Sequence, residues 1–162
     1  MNNRENILER LKELSVDYEL KEHPPVFTME ELDSLKLNEN NEICKNLFLR
    51  DYKGKRHALV ILRGDKHADL SLIRDEIDST KLSFASDERL LKYLDVKKGS
   101  VSLLGIINDT AGAVEVYLDE DLKALPRLGF HPNDNTATLF IGFDGVVKYV
   151  ESTSHEIHFI KV

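Results

Sequence analysis

The stretch Cys44-Lys45-Asn46-Leu47-Phe48-Leu49-Arg50-Asp51 constrains the fold more than any other in the chain. Its centre is apolar and β-prone. The turn formers Asp51-Tyr52-Lys53-Gly54 follow, and then a second β-prone run at 57–62, so this part predicts a β-hairpin that is at least half buried. The oddity is the Lys-Asn pair at its start. Desolvating an ammonium costs several kcal/mol, so a lysine is rarely buried without a partner. Two readings fit. Lys45 lies at the strand mouth with its head in water, or the strand end aims a cation and an amide at an anionic, carbonyl-containing ligand. The later stretch Phe130-His131-Pro132-Asn133-Asp134-Asn135-Thr136 makes the second more attractive.

Around the hairpin the pattern alternates between helical and extended. Ile7, Leu8, Leu11 and Leu14 recur at helical spacing over 4–14, and Val16, Tyr18 and Leu20 alternate with acids as a strand does. His23-Pro24-Pro25 forces an extended break. Thr28-Met29-Glu30-Glu31 fits a capping box opening a helix to about Leu35. Further helices are expected at 69–77, 86–94 and within 142–150. An extended piece is expected at 82–84, and strands at 114–118, 136–143 and 155–162; the run 101–107 reads as extended, with Ser102 inside it. Six or seven strands unevenly mixed with four or five helices, with no linker or repeat, predict a single α+β (mixed α/β) domain over 1–162.

At 162 residues the chain is long enough to bury a core of its own. No apolar run approaches the roughly 20 residues that span a bilayer, and residues 1–5 lead into an amphipathic segment rather than a signal peptide. The one cysteine, Cys44, excludes an internal disulfide framework and suits a reducing compartment. The expected location is cytoplasmic. A net charge of −7, from 29 acidic against 22 basic side chains, argues against coating nucleic acid through a whole-surface field. Local basic clusters at Arg50, Lys53, Lys55 and Arg56, and at Lys97 and Lys98, are either solvated turns or a weak grip on one end of a nucleic acid.

Several signatures of chemistry are missing. The glycines are too scattered for a phosphate loop, and the histidines lack HExxH spacing. His155 and His158, three apart in an expected strand, face opposite sides and do not suit one metal. Cys44 reads as a buried, unactivated thiol. His23 and His131 both precede proline, which holds its neighbour extended, so each is either a turn histidine bonded to backbone or an imidazole presented at a loop. Thr28, Ser100 and Ser102 are credible as a cap, a turn residue and a strand residue.

The order of these elements carries more weight than any one of them. His23-Pro24 and Thr28, then Lys45-Asn46-Leu47-Phe48-Leu49, Leu82-Ser83-Phe84-Ala85, Gly99-Ser100-Val101-Ser102 and Phe130-His131-Pro132-Asn133 with Asn135-Thr136 together resemble the YbaK/ProX group of prolyl-tRNA editing domains. Within that group the likeness is nearer to the freestanding alanyl-tRNA(Pro) deacylases, and it spans residues 5–160. The resemblance implies an α+β fold of the synthetase-associated type, with a mixed, barrel-like sheet flanked by helices. It implies hydrolysis of the ester that joins a wrong amino acid to the tRNA 3′ end, most simply Ala-tRNA(Pro). Cys-tRNA(Pro) deacylation, or a non-catalytic tRNA- or aminoacyl-nucleotide-binding module, are the alternatives. The implied partners are tRNA, in the first place tRNA(Pro), and prolyl-tRNA synthetase. No metal, cofactor or membrane is implied.

Carried onto this sequence, the resemblance makes Lys45 the principal functional residue with Asn46 beside it. His131 orders the loop or steers the water. His23, Thr28, Gly99, Ser100, Ser102 and Asn135 are the expected substrate-binding positions, and Met29, Leu47 and Leu49 are expected to line the amino-acid pocket. Asn46 and backbone N–H groups of 99–102 are candidate donors for the oxyanion. One departure stands out. The group's usual Gly-x-x-x-Pro reads Gly99-Ser100-Val101-Ser102-Leu103 here, which puts pocket shape, and so the choice between alanine and cysteine, in question.

Overall fold

The structure, a computed structural model, describes residues 3–25, 28–35 and 42–162. Ile7 and Leu11 bury one stripe of helix α1 (Asn3–Glu13) and leave its charged face outward. Ser15 then takes a left-handed φ of 56°. The Val16 N–H bonds back to Leu11 O at 2.9 Å, so Val16 finishes the helix instead of starting a strand. The strand expected at 16–20 is thereby displaced to β1 (Tyr18–Glu22). Helix α2 (Met29–Ser34) starts at Thr28, whose hydroxyl accepts the Glu31 N–H at 3.1 Å as a cap requires.

The hairpin forms as expected. Strand β2 (Lys45–Arg50) pairs antiparallel with β3 (His57–Leu62), from Lys45 opposite Leu62 to Arg50 opposite His57. Asp51 closes the turn by accepting the N–H groups of Lys55 and Arg56 at 2.8 and 3.1 Å. Next come α3 (Leu70–Glu76), capped by Asp69, then β4 (Ser83–Phe84), and α4 (Asp87–Leu94), capped by Ser86. The run expected to be extended at 101–107 is instead a 3-10 helix, Leu103–Asn108, with Ser102 at its N-cap. A continuous apolar run has no period that separates a buried helix from a buried strand. Strand β5 (Val114–Asp119), a second 3-10 helix (Glu120–Ala124), β6 (Leu128–Phe130), β7 (Ala137–Ile141), α5 (Phe143–Ser152) and β8 (Ile157–Ile160) complete the order.

The mixed α+β architecture is as expected, but the strands divide between two sheets. One has the order β4-β2-β3-β5-β8, with parallel pairs at β3–β5 and β5–β8, and the other the order β1-β7-β6. Besides their packing in a shared core, among the described residues one isolated parallel bridge, between Ile43 and Gly129, links them. All six residues of β3 are buried because apolar clusters cover both its faces. Leu59 and Ile61 face the larger core, which takes in α1, α4, α5 and both sheets; Ala58, Val60 and Leu62 face a smaller one closed by α3. Among the described residues no helix is long and apolar enough to cross a membrane.

Candidate functional site

The bridge between the sheets gathers the site. Cys44 N–H donates to Gly129 O at 3.1 Å and Gly129 N–H donates to Glu42 O at 2.8 Å, so residues 42–44 run parallel beside β6. Two residues past the bridge, on neighbouring chains running the same way, stand Lys45 and His131. Cys44 and Phe130 between them point into the larger core. Burial pushes the Cys44 thiol far above its ordinary range, so it is no nucleophile at neutral pH.

Lys45 and Asn46 leave opposite faces of β2, since successive strand side chains alternate. The pair therefore does not act as one unit. Lys45 shares its face with Leu47 and Leu49, both committed to the smaller core, so neither leucine lines a pocket at the site; the Met29 side chain lies outside the described residues. The half-buried Lys45 ammonium donates to the backbone carbonyl of Lys66. Among the described residues it forms no ion pair with a carboxylate. Lys66 is different: its own Nζ sits 2.8 Å from Asp119 and 2.7 Å from Asp121.

Asn46 turns the other way. Its Oδ1 accepts the Leu103 N–H at 2.8 Å and its Nδ2 donates to Cys44 O at 3.2 Å. This gives the departure at Leu103 a concrete consequence. A proline has no N–H, so the leucine is what ties the Asn46 amide to the first turn of the 3-10 helix. Nδ2 keeps one hydrogen for a further acceptor. Ser102 is fully buried and its hydroxyl accepts the Leu104 N–H at 3.1 Å; it holds that turn and does not face a ligand. Gly99 has a φ of 93°, which only glycine adopts easily, and lets the chain turn from residues 97–98 into Ser100. Ser100 lines an open cleft with Asn133 and Asn135.

The histidines meet. His23 and His131 pack edge to face with centroids 6.3 Å apart. His23 is held at both nitrogens, 2.9 Å from Pro24 O and 2.8 Å from Thr138 Oγ1. The His131 Nδ1 donates to Ala137 O at 3.0 Å, which leaves Nε2 as the lone-pair nitrogen of a neutral ring. Burial lowers the His131 pKa below its ordinary 6.5, with the neighbouring His23 adding to the shift. Burial and then the Arg89 guanidinium, 2.7 Å away, lower that of His57, a structural ring that packs on Phe48 and Tyr93. For both rings the unfolded chain takes up protons first as pH falls below about 6.5. Stability should therefore decline from pH 6.5 downward, and His131→Gln should flatten the decline in urea melts run between pH 5 and 7. Thr28, beyond its capping role, is not brought against these residues. Nor is Arg56 part of a free basic cluster: it is paired bidentately with Glu115 at 2.7 and 3.0 Å.

Sequence reasoning passed over Gly105 and the use of Asn133. A Cβ built on Gly105 would lie 3.0 Å from Asn133 Oδ1, so the missing side chain makes room for that amide against the 3-10 helix. Among the described residues no three His, Cys, Asp or Glu side chains gather to hold a metal.

Comparison with known proteins identifies the family and the fold. Residues 23–149 match the family model of the aminoacyl-tRNA editing domain. The chain is 41% identical over 162 residues to the prolyl-tRNA editing protein ProX of Acetoanaerobium sticklandii, covering 100% of this chain and 99% of that one. It is 32% identical to the prolyl-tRNA synthetase associated domain-containing protein 1 of Danio rerio, covering 94% and 83%. A solved structure described as a candidate trans-editing enzyme for prolyl-tRNA synthetase superposes with a TM-score of 0.75 at 18% identity, over 100% of this chain and 98% of that one, a likeness of fold.

Proposed function

The chain belongs to the aminoacyl-tRNA editing domain family, and on that premise we propose that it is a trans-editing deacylase that removes alanine mischarged onto tRNA(Pro). The observation that carries this reading is the whole-length likeness to a prolyl-tRNA editing protein, in a chain where a half-buried lysine without a carboxylate partner opens β2.

The reaction is simple in its bookkeeping. Water adds to the ester carbonyl, the C–O bond to the terminal ribose breaks, and the water's proton ends on the ribose oxygen. The ester is already activated, so the protein's tasks are to hold it, to stabilise the oxyanion and to admit one water. Lys45 is suited to the first, because its ammonium gives up only a neutral carbonyl to take an anionic phosphate of the tRNA 3′ end. The remaining hydrogen of Asn46 Nδ2 is suited to the second, whereas in the 99–102 turn the Ser100 N–H is already given to Lys97 O at 3.0 Å. His131, neutral and fixed through Nδ1, has an Nε2 lone pair suited to orient the water. The reading requires that prolyl esters be excluded by overlap of the ring and not by attraction.

No carboxylate or second free imidazole stands among these residues as a strong base. The vicinal 2′-hydroxyl of the terminal ribose takes that share of the work. Replacing the terminal nucleotide with its 2′-deoxy form should slow single-turnover deacylation by about 10²-fold, the span of one general acid–base contribution. An unchanged rate would return the base role to the protein.

A further inference from the structure

A cleft of about 410 Å³ is lined by Asn3 and Arg4 of α1, Lys97, Ser100, Asn133 and Asn135, among others. Its walls are held firmly. Arg4 reaches Glu22 at 2.8 Å and Asp134 at 3.2 Å, and Asn3 donates to Asp95 O at 2.8 Å. Among the described residues four buried side-chain nitrogen or oxygen atoms have no hydrogen-bond partner, and three of them belong to this cleft: Arg4 Nε and both polar atoms of the Asn133 amide. A buried unpaired amide costs on the order of 1–3 kcal/mol. The left-handed φ of 57° at Asn133 accounts for an asparagine at that position, but not for an amide tucked against Gly105 with nothing to bond.

We propose that this cleft receives the terminal adenosine of the tRNA, with the Asn133 carboxamide reading the adenine edge. The inference rests on the deacylase reading and adds a nucleoside site to it. A carboxamide offers one donor and one acceptor side by side, the complement of adenine N7 and N6. Rotation of the Asn133 side chain out of its niche exchanges an unpaired amide for a paired one, so the base is bound at little cost in protein bonds. Ser100, partly exposed in the cleft lining, meets the ribose. Lys97, exposed and without an ion pair among the described residues, meets a second phosphate of the 3′ strand, apart from the one assigned to Lys45. Both loops that form the cleft, 97–100 and 131–135, also carry candidate residues of the ester site, so base and ester can be held at once.

The test uses Ala-tRNA(Pro) ending in adenosine or in 7-deazaadenosine, which lacks only the N7 acceptor, with the wild type and Asn133→Gly. Glycine adopts a φ of 57° freely, so this variant keeps the loop and loses the amide. For the wild type, KM should rise roughly 10-fold on 7-deaza substitution with kcat little changed. For Asn133→Gly, KM should be raised with either substrate and the difference between them lost. A wild type indifferent to 7-deaza substitution, or a variant that still discriminates, overturns the proposal while leaving the deacylase reading intact. Should the wild type cleave neither substrate, AMP titrated into both proteins by NMR decides separately. Shifts at residues 97–100 and 133 that vanish in Asn133→Gly support the site, and no shifts there overturn it.

Discussion

Lys45→Ala is expected to lower kcat/KM for Ala-tRNA(Pro) by about 10²-fold or more, the loss that follows when an anchored substrate is misplaced by about an ångström. The expectation follows from how the side chain is held. Lys45 opens β2 and is only partly buried. Among the described residues its side chain bonds only to the Lys66 carbonyl, and it belongs to neither apolar core. Truncation therefore removes one neutral acceptor bond from the fold and the whole of a charge-assisted contact from the substrate complex. The variant should melt within a few degrees of the wild type, and KM should carry much of the defect. Lys45→Arg should recover part of it, since the charge returns with a different reach and geometry. A variant that loses activity and cooperative melting together would make Lys45 a structural residue.

Asp109→Ala is expected to cost about 3–5 kcal/mol of stability. Asp109 is 4% exposed and follows directly on the 3-10 helix Leu103–Asn108. One oxygen accepts the N–H of Val114 at 2.8 Å and lies 2.8 Å from His155 Nε2; the other accepts the N–H of Ala113 at 3.2 Å. His155, 7% exposed, is held on its other nitrogen by Thr153 at 2.9 Å. This one carboxylate joins the end of the 3-10 helix, the start of β5 and the approach to β8. Its removal strands three donors away from water. For a chain of this length the fall in Tm should be on the order of 10 °C. Asp109→Asn, which keeps an acceptor oxygen, should lose less. A Tm unchanged in Asp109→Ala would mean that water replaces the carboxylate and that this end of the sheet is open.

How much of this was legible in the sequence depended on whether the signal was local. The hairpin, the Asp51 turn, the cap at Thr28 and the helix starts expected at 69 and 86 each rest on a few adjacent residues, and they formed where expected or within a residue or two. Strand β6 did not show, because Leu128-Gly129-Phe130 is too short to alternate and owes its place to β7 and the bridge at Ile43. The 3-10 helix at 103–108 did not show either, since every residue from 103 to 106 is buried and no periodicity marks a face. The division into two sheets is likewise a matter of long-range pairing that no local pattern encodes.

The site followed the same rule. The Lys45-Asn46 pair was visible as an unusual opening for a strand, and His131 became a candidate through the family resemblance. Their directions were not visible. Nothing in the spacing says that Asn46 Oδ1 is taken by Leu103, or that Lys45 looks to the opposite face. Ser102, an expected substrate-binding position, spends its hydroxyl on a cap. One signal for the missed residue was present, the pairing of an asparagine in a turn with a glycine inside an apolar run. It became readable only when Gly105 and Asn133 were seen in contact.

The account stands most directly on one comparison: single-turnover deacylation of Ala-tRNA(Pro), Cys-tRNA(Pro) and Pro-tRNA(Pro) by the wild-type protein under identical conditions. Rapid loss of alanine, with the prolyl ester cleaved no faster than in buffer, is the predicted result. Faster loss of cysteine than of alanine would keep the chemistry and reassign the pocket. No release of any of the three amino acids above the uncatalysed rate would contradict the account.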